Sequence, residues 1–348
     1  MIVITAHLFI GAPSTGYYAV FGFYVLSGYL MTLIMQETYG YTSTGRYKFA
    51  ANRFLRLYPQ YWAAAGISIL MIYLHFTDVH ESIYLPTTLQ GILSNLTMIF
   101  PAWSPINVEP RLVPPTWAIT VEIFFYVLIC LGLSKTFARA KLWLLVSIGY
   151  VVVSFALHMP AGARYDPIWA ASLPFSVGAV TYFLSKDRQR YARYFSLPIS
   201  SRILFVVMLA NFLLGTYVLR TRTGMITEIG TYINLVICAL LVYKITGGDA
   251  IARISQSTDK WIADFSYPLY LLQWQVIITV SKLLYGESFR EFSLRGAVSF
   301  TITLIVAGLI SYAFIKWIDK PIENLRNRIR ARQDLPAQTT AEKISGPP

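Results

Sequence analysis

Two ionisable residues of this chain lie inside long apolar runs. His7 falls in the opening stretch from Met1 to Ala12. Glu122 falls in Pro114-Pro115-Thr116-Trp117-Ala118-Ile119-Thr120-Val121-Glu122-Ile123-Phe124-Phe125-Tyr126. Placing a charge at the centre of a membrane span costs about 2.5–3.5 kcal/mol on insertion scales, so such residues are candidates for chemistry by default. A neutral imidazole is a good base near pH 7, and a carboxylate can fix its tautomer. Together they suit acid–base chemistry or a proton path, and they are the candidate catalytic pair. The competing structural roles are a satisfied core imidazole for His7 and a buried acceptor holding an Arg or Trp for Glu122.

A second constellation is Phe49-Ala50-Ala51-Asn52-Arg53-Phe54-Leu55-Arg56-Leu57-Tyr58-Pro59-Gln60-Tyr61-Trp62. Arg53 and Arg56 are three apart, hence on one face if helical, and Pro59 suits the first turn of a following helix. Two guanidiniums there form a clamp for a phosphate or carboxylate, or are two ordinary topology charges. Ser27, in Phe23-Tyr24-Val25-Leu26-Ser27-Gly28-Tyr29-Leu30, fails the nucleophile-elbow pattern because positions 25 and 29 are Val and Tyr. A Ser-Gly pair at a close helix–helix contact fits better. Cys130 and Cys238 sit in apolar runs with no metal-ligand spacing and read as small hydrophobes. No phosphate-binding or dinucleotide-binding glycine loop and no metal-ligand cluster is present in the sequence.

The elements that must position these residues follow from composition. The chain has 348 residues, of which 55% are hydrophobic and 13% charged. Soluble domains carry charge on about 25% of positions, so the surface of one cannot be covered here. An all-α polytopic bundle follows, with apolar runs near 17–36, 57–75, 116–134, 142–158, 167–184, 203–219, 226–243, 262–283 and 296–316. The opening run would rise only about 18 Å as a helix, and it reads as the C-terminal half of a truncated first span. That makes about ten helices. Residues 1–322 form the transmembrane domain, and 323–348 a basic, then disordered, cytoplasmic tail.

The net charge of +12 might suggest nucleic acid, but its distribution says otherwise. The connections 37–56, 135–141, 185–202, 244–260 and the tail from 316 hold 22 of the 29 Lys and Arg, and the alternate connections hold 7. By the positive-inside rule the first set is cytoplasmic, with both termini, in a multi-pass protein of the inner (plasma) membrane. The charge is therefore a topology signal, and no nucleic-acid partner is implied. The stretch Arg326-Asn327-Arg328-Ile329-Arg330-Ala331-Arg332 reads as a helix end drawn to anionic membrane lipids.

Taken together and in order, four motifs carry a resemblance. They are Phe23 to Leu30, Arg53-Phe54-Leu55-Arg56 with Pro59 and Tyr61, Trp117 to Tyr126 around Glu122, and Ser266-Tyr267-Pro268-Leu269-Tyr270-Leu271-Leu272. The chain resembles the acyltransferase family 3 integral membrane proteins over nearly its whole length, to Ile318-Asp319-Lys320-Pro321. The resemblance implies a ten-helix bundle moving an acyl group, commonly acetyl, from cytoplasmic acyl-CoA to a hydroxyl of a surface or exported glycan or lipid-linked sugar. No cofactor is held permanently; acyl-CoA is the donor substrate. His7 matches the family's histidine base, Arg53 and Arg56 its paired arginines, and Glu122 its buried glutamate. Two departures stand out. The Arg usually found upstream of the histidine has no counterpart, and Gln273 stands where the family often has His. Composition and topology alone also admit a transporter or flippase of an anionic or glycan substrate.

Overall fold

The computed structural model describes residues 16–76, 83–195, 199–221, 225–252, 254–286 and 293–331. His7, the opening run and the tail from 332 lie outside the described residues. Among the described residues every regular element is helical, as expected for an all-α bundle. The elements are α1 (Gly16–Ile34, continued by a wide π-turn Met35–Tyr39), α2 (Ser43–Tyr73), α3 (Leu89–Thr97), α4 (Thr116–Leu131), α5 (Phe137–Ala156) and α6 (Ser172–Lys186). They continue with α7 (Arg188–Phe195), α8 (Ser201–Thr221), α9 (Met225–Ile245), α10 (Gln256–Tyr285), α11 (Leu294–Phe314, ending in a π-turn Ile315–Asp319) and α12 (Lys320–Ala331).

Each of the nine apolar runs read from the sequence falls on one of these helices. Among the described residues five segments are long and apolar enough to cross a membrane by length and composition: Gly16–Tyr39, Phe137–Ala156, Ile168–Lys186, Glu228–Ile245 and Leu294–Ile329. Their outward faces stay apolar. On α5, Leu142, Leu145, Val146 and Val152 are each more than half exposed, which in water would form the kind of apolar patch that soluble monomers rarely carry.

One boundary differs from the sequence reading. The helix expected to start near 57, with Pro59 in its first turn, begins at Ser43, so Pro59 lies in its interior. Thr42 caps it, its side chain accepting from the Gly45 N–H at 3.1 Å. Proline removes one backbone bond to the preceding turn, yet packing on both sides carries the helix through. Tyr61 donates to the Asn95 carbonyl on one side, and the Tyr267 hydroxyl donates to the Leu57 carbonyl at 2.9 Å on another.

The backbones of α1 and α6 approach closely. A Cβ at Gly28 would run into the Phe175 carbonyl, and one at Gly178 into the Val25 carbonyl. Two glycines thus let the backbones meet, which is the close contact expected of Ser27-Gly28. Around it sit Phe21, Tyr24, Phe125 and Phe175, all at most 2% exposed.

The connections gather in two groups. Gln36 donates to the Lys135 carbonyl at 2.8 Å, Lys186 pairs with Glu37 at 2.7 Å, and Arg188 donates to the Tyr243 carbonyl. Ser201 N–H donates to Asp249 at 2.8 Å, and Lys260 pairs with Glu323 at 2.9 Å. These contacts join all five Lys/Arg-rich segments at one end. At the other, Arg164 grips Glu228 in a two-pronged pair at 2.6 and 2.7 Å, the Ile168 N–H reaches the Trp103 carbonyl at 3.0 Å, and Lys282 reaches the His75 carbonyl.

The glycine contact makes a specific expectation. Gly178→Ala should lower stability by about 1–3 kcal/mol through overpacking. Gly149→Ala, at a site with open space around it, should be neutral or slightly stabilising. Thermal unfolding of the two purified variants in detergent checks this; equal midpoints would show that α1 and α6 are not in contact.

Candidate active site

Glu122 lies on α4, 3% exposed, at the crossing of α1 and α4. The Ser27 hydroxyl of α1 and the Tyr126 hydroxyl, one turn along α4, both donate to its Oε1, and the two hydroxyls are themselves 3.0 Å apart. The helix places Tyr126 on the same face as Glu122 because the two are four residues apart. The surroundings are aromatic. Tyr24 stacks on Phe175 and donates to the Ala118 carbonyl at 3.2 Å, and Tyr270 of α10 donates to the Pro115 carbonyl at 2.9 Å. A carboxylate buried this deeply is retained only with hydrogen-bond donors in place.

Arg53 of α2 lies close enough to act electrostatically on both Glu122 and Tyr126. Its guanidinium lies over the Phe49 ring at 5.9 Å, and its Nε is buried with no hydrogen-bond partner among the described residues. Arg53 and Tyr126 both line a cavity of about 830 Å³ between α2 and α4. Phe49, Phe54, Tyr58, Ile123 and Val127 make its walls largely apolar, Arg46 lies towards its Lys/Arg-rich end, and Ile329 of α12 closes one side. Such a volume takes an extended small molecule.

Arg56 takes a different course. Positions three apart on a helix point roughly 60° apart, and Arg56 turns to Asp319 at 3.3 Å and Asp264 at 3.9 Å. Asp319, 7% exposed, also pairs with Arg326 of α12 at 3.7 Å. The structure therefore brings Glu122 and Arg53 together and sets Arg56 in a neighbouring ionic network. The described part of the basic stretch, up to Ala331, is helical, with Arg326 packed inward on that network.

Comparison with known proteins gives the family. The family model for the acyltransferase domain covers residues 1–315. The chain belongs to the acyltransferase 3 family. No curated protein and no solved structure matched it. As an acyltransferase of this family, it holds its buried glutamate through two residues that sequence reasoning passed over. Ser27 was read only as a packing residue; Gly28 performs that part, and Ser27 turns its hydroxyl to Glu122. Tyr126 carried a signal, the four-residue spacing from Glu122. Asp264 gave none, and Asp319 entered only within the closing Ile318-Asp319-Lys320-Pro321 run, because nothing in sequence ties either to the distant Arg56. Gln273 is fully buried and donates to the Tyr270 carbonyl at 3.0 Å. Arg111, in the connection after α3, is a loop brace, donating to the carbonyls of Ile106, Val108 and Pro114.

Removing either donor should leave the carboxylate under-satisfied. Ser27→Ala and Tyr126→Phe should each lower stability by about 1–3 kcal/mol. Because both donate to one oxygen, the double variant should lose less than the sum of the two. Unfolding midpoints of the four proteins measure the coupling, and strict additivity would show that the hydroxyls do not share Glu122.

Proposed function

We propose that this membrane O-acyltransferase takes an acyl group, acetyl in the simplest case, from cytoplasmic acyl-CoA and places it on a hydroxyl of a surface or exported glycan or a lipid-linked sugar. The protein sits in the inner membrane with its Lys/Arg-rich end and both termini in the cytoplasm. The observation that carries this reading is the 830 Å³ cavity, whose wall holds Arg53 and whose Tyr126 hydroxyl bonds Glu122. A CoA thioester has the matching shape, with phosphates for a guanidinium and a slender, largely apolar arm to reach inward. Arg53 contacts the donor, and Arg56, held at the same end by Asp319 and Asp264, supports the binding field.

In the proposed step His7 takes the proton of the acceptor hydroxyl as its oxygen attacks the thioester carbonyl. The tetrahedral intermediate collapses with loss of the C–S bond. The thiolate of CoA leaves and takes up the proton, and the ester is formed. Glu122 supports the imidazole electrostatically from the buried centre.

Labelled acetyl-CoA incubated with the purified protein and a glycan acceptor should give labelled ester. A protein that only carried solute would give none, and that result would remove the proposal. His7→Ala should slow transfer by about 10² to 10⁴, the worth of positioned base catalysis. Arg53→Ala should raise KM for acetyl-CoA with a smaller change in kcat, because contacts remote from the reacting carbon act through binding.

A further inference from the structure

Arg46 has no role in the sequence reading, yet it shares the wall of the large cavity with Arg53. Its Nε, like that of Arg53, is buried with no hydrogen-bond partner among the described residues. Arg56, by contrast, has Asp319 and Asp264. The described residues lining the cavity include two arginines and no Asp or Glu. Two guanidinium groups on the wall of an apolar space, each with a buried and unpartnered Nε and with no carboxylate among the described lining residues, form a site for an anion of more than one charge.

The positions are ordered along the ligand's path. Arg46 and Arg53 are seven residues apart, two turns or about 10 Å along one face of α2. Arg46 is in the first turn of α2, just after Gly45, whose N–H bonds the Thr42 cap, and so lies at the Lys/Arg-rich end. Arg53 is deeper and acts on Glu122. The helix N-terminus adds its partial positive charge near Arg46.

We infer that Arg46 and Arg53, rather than Arg53 and Arg56, are the anion clamp of the cavity, with Arg46 taking the outermost phosphate of the donor, the 3′-phosphate on its ribose. This rests on the reading of the cavity as the donor site. Arg53 then meets the inner pyrophosphate, and Arg56 fixes α2 against α10 and the Asp319 turn.

The test pairs a change in protein with a change in ligand. Binding of acetyl-CoA and of its analogue lacking the 3′-phosphate is measured by calorimetry on the full chain in detergent. Wild type should bind acetyl-CoA about tenfold or more tightly than the analogue, as expected for a charge-assisted contact. In Arg46→Ala that preference should fall to near one, while Arg46→Lys keeps most of it. Lys48→Ala, which removes a charge two residues away from a side chain outside the cavity wall, should leave it unchanged. If Arg46→Ala is poorly folded by size exclusion, Arg46→Gln is measured in its place. An Arg46 variant that retains the wild-type preference, or a wild type with none, overturns the inference and leaves the donor reading standing. If wild type binds neither thioester, the donor reading itself falls.

Discussion

An ionisable carboxyl group in the middle of an apolar bundle is tolerated only where the neighbouring helices supply donors, and Glu122 sets that condition here. Ser27 must come from α1 and Tyr126 from the next turn of α4, so the two helices are fixed in rotation as well as in distance. The demand spreads outward. For Ser27 to reach Glu122, α1 must keep its register, and that register is held on an adjacent face by Gly28 of α1 and Gly178 of α6. A polar contact of two hydroxyls and a carboxyl thereby depends on two missing Cβ atoms, one on each of two packed helices.

The helix α2 divides the charges around this centre. Two of its three arginines, one turn apart, diverge: Arg53 faces the cavity and the buried acid, and Arg56 faces the carboxylates of α10 and the turn before α12. That turn is a π-helical widening, Ile315–Asp319, which ends on the buried Asp319. Such widenings are rare and are frequent at functional sites. Here it brings one carboxylate between Arg56 and Arg326, so α12 is tied down and its Ile329 reaches the cavity wall. The local backbone irregularity and the shape of the cavity are therefore connected.

Much of the fold was legible in the sequence because membrane helices announce themselves by length, apolarity and the distribution of Lys and Arg. Each of the nine expected apolar runs from residue 17 onward falls on a helix, and the Lys/Arg-rich connections meet at one end among the described residues. The exception is instructive. Pro59 in sequence signals a helix beginning, since proline favours the first turn, but tertiary contacts at Leu57 and Tyr61 carry α2 straight through it. For the site, Glu122 and Arg53 were legible as charges out of place. Ser27 was not, because a small hydroxyl beside a glycine has the same sequence signature whether it packs or donates. The separate fates of Arg53 and Arg56 depend on Asp264 and Asp319, more than two hundred residues away, and spacing within one helix cannot reveal them.

The account comes down to one location, the space between α2 and α4 in front of Glu122, as the place where the acyl donor lies. A photoactivatable acyl-CoA analogue with its reactive group in the acyl chain, irradiated on the purified protein and mapped by peptide mass spectrometry, tests this most directly. Labelling on peptides that contain Phe49 to Tyr58 and Ile123 to Leu131, suppressed by excess unlabelled acyl-CoA, is the predicted result. Competable labelling confined to α8 and α9, with none on α2 or α4, would contradict it.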